Sequence, residues 1–531
     1  MKKMFFAVLL VFLLVACSSE EKVTNKALPL KNATLQLSAP TASFQSGKNV
    51  DSSLLPVYHD HTFDYDLLEN KKKAGKMIVK VRELDNGDEL VFLQLKGLAD
   101  KSISTKASLT FKSANRVELM DWDQRALERP HDNTTGVDKV TQPVGLFSLK
   151  RFEKLTSELV LSKQYVSSSL EKKYGEGLMS QIRVLEAEKK KYSVSQGEDS
   201  VTIQFDLAAG KGKLVEQWFM VSKQPLFSTG QAVQDWVDFQ IDKYKETNSW
   251  LTVGGPMKKL PWSIEPFSRD GYGRNLGMMV DREAIDRFVA TKERYYYNLM
   301  VNTAADLYEY RAAKGTPLWE TEYTSTWVKK AYGLNAPYVD TRHNEFIALY
   351  LAKIGDQLKV PELLDAKLQY GDYLIEQIKI GNVIKAGDGL FISDYFSPYS
   401  QKQKTHASMN HVLGGANLLL DCYKQSGDRK YLDAAVRIRK GIEQLDGKWI
   451  RETGDLWYQV NPDLTFAGND YEQLTLVDLL NHQRKWEEVG GGGRSAVIDK
   501  LIRSKTEYLL GKQVVLLEEV QRELSEQGFG F

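Results

Sequence analysis

Cysteine is almost absent from this chain of 531 residues, in which only Cys17 and Cys422 occur. With Cys17 assigned below to another use, no intrachain disulfide remains, and folding must rest on buried apolar area, which a chain of this size can supply. Cys422 falls in an apolar-periodic helix and reads as a small buried hydrophobe rather than a nucleophile. An excess of charge is also missing. Lysine and arginine number 71 against 70 aspartates and glutamates, so the electrostatic footprint of a nucleic-acid binder is absent and no nucleic-acid partner is expected. Lys71-Lys72-Lys73 and Lys189-Lys190-Lys191 read as solvated faces. The chain has no Gly-x-Ser-x-Gly elbow and no P-loop, and Gly271-Tyr272-Gly273-Arg274-Asn275-Leu276-Gly277 imitates a dinucleotide fingerprint only loosely, because no compelling strand leads into it. No cofactor is expected. His59-Asp60-His61 is a tempting ligand triplet, but adjacent residues point apart and no partner spacing accompanies it, so no metal is expected either.

Long apolar runs are missing too. Met1-Lys2-Lys3 is basic, and the apolar run from Met4 to Ala16 is shorter than the roughly 20 residues a bilayer span needs. The layout is that of a secretory signal over residues 1–16. Leu14-Val15-Ala16-Cys17 resembles the lipobox of bacterial lipoproteins. That resemblance implies lipidation of Cys17 and a protein held by lipid on the extracytoplasmic face of a cell membrane. Residues 17–49 are polar and read as a tether.

From about Val50 the composition changes to short β-branched and aromatic runs, such as Met77 to Arg82, Glu89 to Leu95, Ser200 to Phe205 and Leu214 to Val221, separated by turn signals. These predict an antiparallel β-sandwich-like domain over residues 50–250, with helices at Leu159 to Lys173 and Gly177 to Lys190. Breakers fill Thr252 to Gly277. Helical periodicity then dominates residues 251–489, beginning with Arg282 to Lys314. Polar-aromatic loops alternate with helix pairs, and the helices after the loops start near Asn344, Asn410 and Tyr471. This regular spacing predicts stacked helical hairpins whose loops collect on one face. The fold class is therefore α+β multidomain. Gly490 to Gly493 reads as a flexible break before a C-terminal helix within residues 494–531.

The candidate chemistry sits at the loop ends. Met409, Val412, Leu413, Ala416, Leu419, Leu420 and Tyr423 form one apolar stripe and belong to packing. Asn410, Gly414, Asn417 and Asp421 form a second, polar stripe. His406 and His411 flank the first turn, close to Lys404, Tyr395 and Tyr399. One repeat earlier, Arg342 can fork a carboxylate and Glu345 can serve as acid or base, while Asp340 and Thr341 suit a helix cap. One repeat later stand Tyr458, Tyr471 and Asp470, the last of which also suits a cap. Aromatic rings with amides and few carboxylates suit a sugar, whose C–H faces stack while its hydroxyls bond.

The region from about Leu260 to Gln483, and in particular Thr405-His406-Ala407-Ser408-Met409-Asn410-His411 through Gly427-Asp428 to Leu432-Asp433-Ala434-Ala435, resembles the C-terminal domain of D-glucuronyl C5-epimerases. The resemblance implies an α/α-toroid, a uronate-containing polysaccharide as partner, and tyrosine and glutamate side chains exchanging the C5 proton. Glu345, Tyr395, Tyr399 and Tyr458 are the catalytic candidates. Arg342, Lys404, His406, Asn410 and Tyr471 are the substrate-binding candidates. A polysaccharide lyase, which starts with the same proton abstraction, fits the same residues. A non-catalytic glycan-binding surface lipoprotein and an assembly scaffold are the readings without turnover.

Overall fold

The computed structural model describes residues 24–123, 141–274, 277 and 280–530. The signal run 1–16 and Cys17 lie outside the described residues. Two antiparallel sheets build the N-terminal part. A five-stranded sheet runs in the order Asn25–Pro29, Thr34–Ser38, Ile103–Lys112, Ser200–Ala209, Ser193–Gln196. A larger sheet is centred on the strands Tyr58–Glu69, Lys72–Leu84, Glu89–Gly97 and Lys213–Ser222. Their facing surfaces share a core that includes Leu35, Leu37, Val79, Leu93, Leu109, Ile203 and Phe219.

The other face of the large sheet is covered by helices. Leu90 and Phe92 point to the helical side while Val91 and Leu93 point into the sandwich. Burial on both faces explains the near-continuous apolar run of Glu89–Gly97 and of Lys213–Ser222, since neither surface has a reason to be polar.

Three expectations change here. The stretch 24–49 is not a tether: it forms three strands, Asn25–Pro29, Thr34–Ser38 and Ser43–Ser46, with Leu35 and Leu37 fully buried. Its alternation covers only one or two buried positions per strand, so it reads as polar in sequence. The helices expected at Leu159 to Lys173 and Gly177 to Lys190 are instead strands, Gln164–Gly175 and Leu178–Lys189 forming one antiparallel hairpin. Leu178, Ser180 and Ile182 alternate inward in that hairpin, a period of two that a polar inward Ser180 and an apolar outward Met179 disguise. The breaker-rich connector also contributes strands, Gly255–Lys259 and Gly271–Gly273, that extend the large sheet.

The helices are, in chain order, α1 (Gly230–Asp242), α2 (Tyr244–Thr247), α3 (Arg282–Thr291), α4 (Arg294–Lys314), α5 (Thr326–Tyr332), α6 (Thr341–Leu358), α7 (Pro361–Leu364), α8 (Ala366–Lys379), α9 (Met409–Ser426), α10 (Arg429–Leu445), α11 (Leu474–Glu488), α12 (Ala496–Gly511) and α13 (Glu518–Glu526). The run Arg282 to Lys314 is broken at Lys292, which is left-handed with φ 58°. The C-terminal segment is likewise two helices, α12 and α13, rather than one. Gly490 to Gly493 is the turn between α11 and α12, and it packs at Gly491 against Trp486.

Helices α6, α9 and α11 pack side by side as an inner row, and α8, α10 and α12 pack outside them. Helix α9 shows why. Its stripe from Met409 to Leu420 is buried, each leucine adding about 1.5–3 kcal/mol, and Gly427, left-handed with φ 71°, ends it.

The inner row also buries a histidine. His482 of α11 bonds through Nδ1 to Asn417 Oδ1 of α9 at 2.9 Å. Burial, followed by the nearby charge of Arg439, pushes its pKa down to about 3. A depressed histidine contributes stability that is present above its unfolded value near 6.5 and is lost as pH falls toward the folded one. The wild type is therefore expected to lose about 2 kcal/mol more than His482→Asn between roughly pH 6.5 and 5, at about 1.4 kcal/mol per pH unit. Urea titrations of both proteins across that range check it; parallel losses would sink the assignment.

Candidate functional site

The first turns of α6, α9 and α11 lie at one end of the inner row, and short β-pairs tie their leading segments together. Val339–Asp340 pairs with Tyr395–Phe396, and Ala407–Ser408 pairs with Trp457–Val460. These pairings set Tyr395 beside Asp340 and bring the loop before α11 against the start of α9.

Around them the rings form a continuous chain. Tyr471 meets Tyr458 at 5.7 Å, Tyr458 meets His406 at 5.9 Å, and His406 meets Tyr395 at 5.9 Å between centroids. Tyr395 then meets His411 at 6.1 Å and Tyr338 at 5.9 Å. Trp327 and Tyr332 of α5 lie against His406 at 5.4 and 5.5 Å. Trp327 and Tyr471 are about half exposed, at 47% and 49%, so the buried polar groups stand behind an open aromatic wall.

Asp394 organises those polar groups. Its carboxylate accepts from the Ser408 amide at 2.9 Å and from the Ser408 hydroxyl, and it stands 3.0 Å from His406 Nε2 and 3.6 Å from His411 Nδ1. Burial raises its pKa, but the neighbouring imidazoles of His411 and His406 and the bonds to His406 and Ser408 outweigh that, and the net shift is downward. His406 is fully buried, with Nδ1 2.7 Å from the Tyr332 hydroxyl.

His411 differs. The Thr341 hydroxyl donates to the Asp394 carbonyl at 3.0 Å, so toward His411 it acts as acceptor, and Nδ1–H donates to it at 2.8 Å. That bond assigns the proton to Nδ1 and leaves a lone pair on Nε2. Burial pushes the imidazole's pKa down more than Asp394 and Asp340 raise it, which keeps the ring neutral. Tyr395 is shifted the other way, its pKa raised by burial first and then by Asp340 and Tyr458, so its phenol stays protonated. A neutral imidazole with a free lone pair beside a protonated phenol is a base and acid pair.

Other expected site residues lie elsewhere. Arg342 and Glu345 are buried in α6, where Arg342 Nη1 bonds both Glu345 oxygens at 3.0 and 2.8 Å and Nη2 bonds Asp478 of α11 at 2.7 Å. Burial pushes Glu345 up, with the Asp478 charge adding to it against Arg342. Neither side chain is available at the aromatic wall. Lys404 donates to the Val383 carbonyl at 3.2 Å. Tyr399 is 57% exposed, and among the described contacts no ring joins it to the cluster. Asn410 is buried, and its Oδ1 has no partner among the described residues. Asp340 caps α6 by accepting from the His343 amide at 3.0 Å. Asp470 accepts from Thr475 at 2.6 Å and pairs with Lys505, while Gln473 occupies the cap of α11.

Sequence reasoning missed Asp394, Trp327, Tyr332 and Asp478. Asp478 carries no local signal, since its partner Arg342 lies 136 residues earlier, whereas Asp394 stands within 17 residues of His406, Ser408 and His411 and could have been grouped with them.

Gly414 of α9 faces the Arg342–Glu345 pair, and a Cβ there would overlap both the guanidinium and the carboxylate. Gly→Ala inside a helix ordinarily stabilises by about 1 kcal/mol. Gly414→Ala is expected to do the reverse and cost about 1–3 kcal/mol, because a buried ion pair must shift. Chemical denaturation reads the sign directly.

A cavity of about 630 Å³ opens on the β side of α6, lined by aromatic residues including Trp218, Trp236, Trp250 and Phe346, with Asp281, Arg282 and His343. The ring chain and the His411–Tyr395 pair are not part of its lining.

No known family model matches the chain, and no curated protein matches it at a significant level. Solved structures to which it is similar include a D-mannose isomerase at 14% identity and TM-score 0.33, covering 44% of this chain and 59% of that one. An unsaturated glucuronyl hydrolase from Bacillus sp. GL1 is similar at 13% identity and TM-score 0.31, covering 45% and 58%. A family 76 glycoside hydrolase from a bovine Bacteroides thetaiotaomicron strain is similar at 13% identity and TM-score 0.35, covering 67% and 76%. The chain spans less than two thirds of the first two. Likeness at this level says nothing of residues or reaction, so the functional reading stands on the geometry above.

Proposed function

We propose that this protein is a lipid-anchored, carbohydrate-active enzyme whose helical part is an α/α-toroid and which abstracts the C5 proton of uronate residues in a polysaccharide, as a D-glucuronyl C5-epimerase does. The carrying observation is the pairing of His411, neutral with its lone pair on Nε2, with the protonated Tyr395 behind a half-exposed aromatic wall. The wall suits the faces of sugar rings. The C5 proton is acidified by the adjoining carboxylate, and its removal builds charge on that group. The positive N-terminal ends of α6, α9 and α11 favour that charge. Arg342 is committed to Glu345 and Asp478, so it contributes only through its field.

The test is incubation with a panel of uronate polymers in deuterium oxide. Deuterium at C5 without chain cleavage supports the epimerase. Unsaturated, ultraviolet-absorbing ends mean a lyase built on the same base. Saturable binding with neither product means a glycan-binding lipoprotein and overturns the enzymatic reading. The anchor rests on Leu14-Val15-Ala16-Cys17, and Cys17→Ser should release the protein from the membrane fraction.

A further inference from the structure

The sequence triplet His59-Asp60-His61 acquires in the fold the partner it lacked. The three residues lie on the strand Tyr58–Glu69, where neighbours alternate between faces. Asp60 turns inward and bonds Arg82 Nε at 2.8 Å. His59 and His61 therefore share the opposite face, with ring centroids 4.4 Å apart. Asp51, on the adjoining strand Val50–Ser52, is directly opposite His61 in register. One donor atom from each of Asp51, His59 and His61 lies within 4.8 Å of the other two. Tetrahedral zinc with bonds of about 2.0–2.1 Å holds its donors roughly 3.3 Å apart, a contraction that rotations of partly exposed side chains can supply.

A second feature is independent of that distance. His61 directs Nδ1 at Asp51 Oδ1, 2.9 Å away, while its Nε2 stands 3.7 Å from Oε1 of Glu83. Glu83 is opposite His59 on the strand Lys72–Leu84 and is held by Lys31 at 2.5 Å. A carboxylate behind the far nitrogen of an imidazole is the arrangement that orients a metal-ligating histidine and raises its basicity.

We propose that Asp51, His59 and His61 form a zinc(II) site, with Glu83 as the carboxylate behind His61 and water in the fourth position. Two imidazoles and one carboxylate are a borderline donor set that favours zinc over calcium or magnesium, which take oxygen. The ion ties Val50–Ser52, held to the sheet along one short edge, to the strand beneath it. The site belongs to the β part and is separate from the proposed sugar chemistry.

The experiment is calorimetric titration of zinc chloride into chelator-treated full-length protein without a polyhistidine tag, with cobalt(II) absorption as a reporter of tetrahedral coordination. One zinc per chain is expected. His59→Gln and His61→Gln should each weaken binding by more than about 100-fold, and Glu83→Gln by roughly 10-fold, within the range for a residue behind a ligand. Zinc should raise the melting temperature of the wild type and not of the histidine variants, while all the proteins melt alike without zinc. Failure of the wild type to take up zinc overturns the proposal. So does unchanged binding in both histidine variants, which would place the ion elsewhere.

Discussion

Replacing Arg82 by methionine is expected to lower the unfolding free energy by about 3–5 kcal/mol, the cost of leaving buried charges unpaired. Arg82 is fully buried and joins the large sheet to α4. Nε and Nη2 bond Asp60 at 2.8 and 2.7 Å, and Nη1 bonds Asp306 at 2.8 Å and the Asn302 side chain at 2.6 Å. Glu309, 3.2 Å from Nη2, also pairs with Lys80 at 2.6 Å. Burial pushes Asp60 up, but the charge and hydrogen bonds of Arg82 more than offset this and hold it at about 2. Removing the guanidinium therefore leaves the buried Asp60 carboxylate, among the described residues, with only Lys80, 3.7 Å away, as a counter-charge. Arg82→Lys keeps the charge and loses the fork, and should recover less than half of the loss. Adding Asp60→Leu to Arg82→Met should restore part of the stability, since a pair replaced by apolar groups costs less than a pair broken. Urea unfolding of the four proteins tests the account, and a neutral Arg82→Met would refute it.

That network also shows what sequence reading could and could not reach. Asn298, Asn302, Asp306 and Glu309 lie along one face of α4, and Asn298 bonds Asp88, in the turn between Lys72–Leu84 and Glu89–Gly97, at 2.8 Å. In the sequence such a stripe reads as a solvent face, whereas its charges are complemented by a strand more than 200 residues earlier. Helices α6, α9 and α11 were legible because their apolar stripes recur at helical spacing and their leading loops recur at regular intervals along the chain. The hairpin Gln164–Gly175 and Leu178–Lys189 was not, because its buried positions include the polar Gln164, Ser167, Ser180 and Arg183, which break the apolar period of two.

The site was legible by composition and not by role. Tyr395, His406, Tyr458 and Tyr471 come together, as an aromatic-rich loop set suggested. Arg342 and Glu345 share the first turn of α6 with Thr341, yet they turn toward Gly414 and Asp478 inside the helical row. Which way a first-turn side chain turns depends on the neighbouring helix, and a glycine at position 414 is what admits a guanidinium there. The same reasoning shifts the base from Glu345 to His411, since only the latter has a bonded partner on one nitrogen and none among the described residues on the other.

The second large effect follows from that reassignment. His411→Gln is expected to lower kcat on a uronate polymer by about 100- to 10,000-fold, the range for losing a general base, with KM nearly unchanged. The amide can still donate toward Thr341 Oγ1, so local packing survives while the lone pair that would receive the C5 proton is lost. Tyr395→Phe removes the acid and keeps the ring against Trp327 and Tyr338, and a loss of similar size is expected. Because both groups serve one transfer, the double variant should be little slower than the slower single one. The pH profile gives a further readout. The rate should fall at low pH as His411 takes up a proton, and because burial depresses its pKa the fall should begin below the usual imidazole range. Deuterium incorporation at C5, followed by mass spectrometry across that range for the wild type and both variants, makes the measurement. Full activity in His411→Gln would return the base to another residue of the ring chain, and undiminished exchange in both variants would remove the proton-transfer reading from this end of the fold.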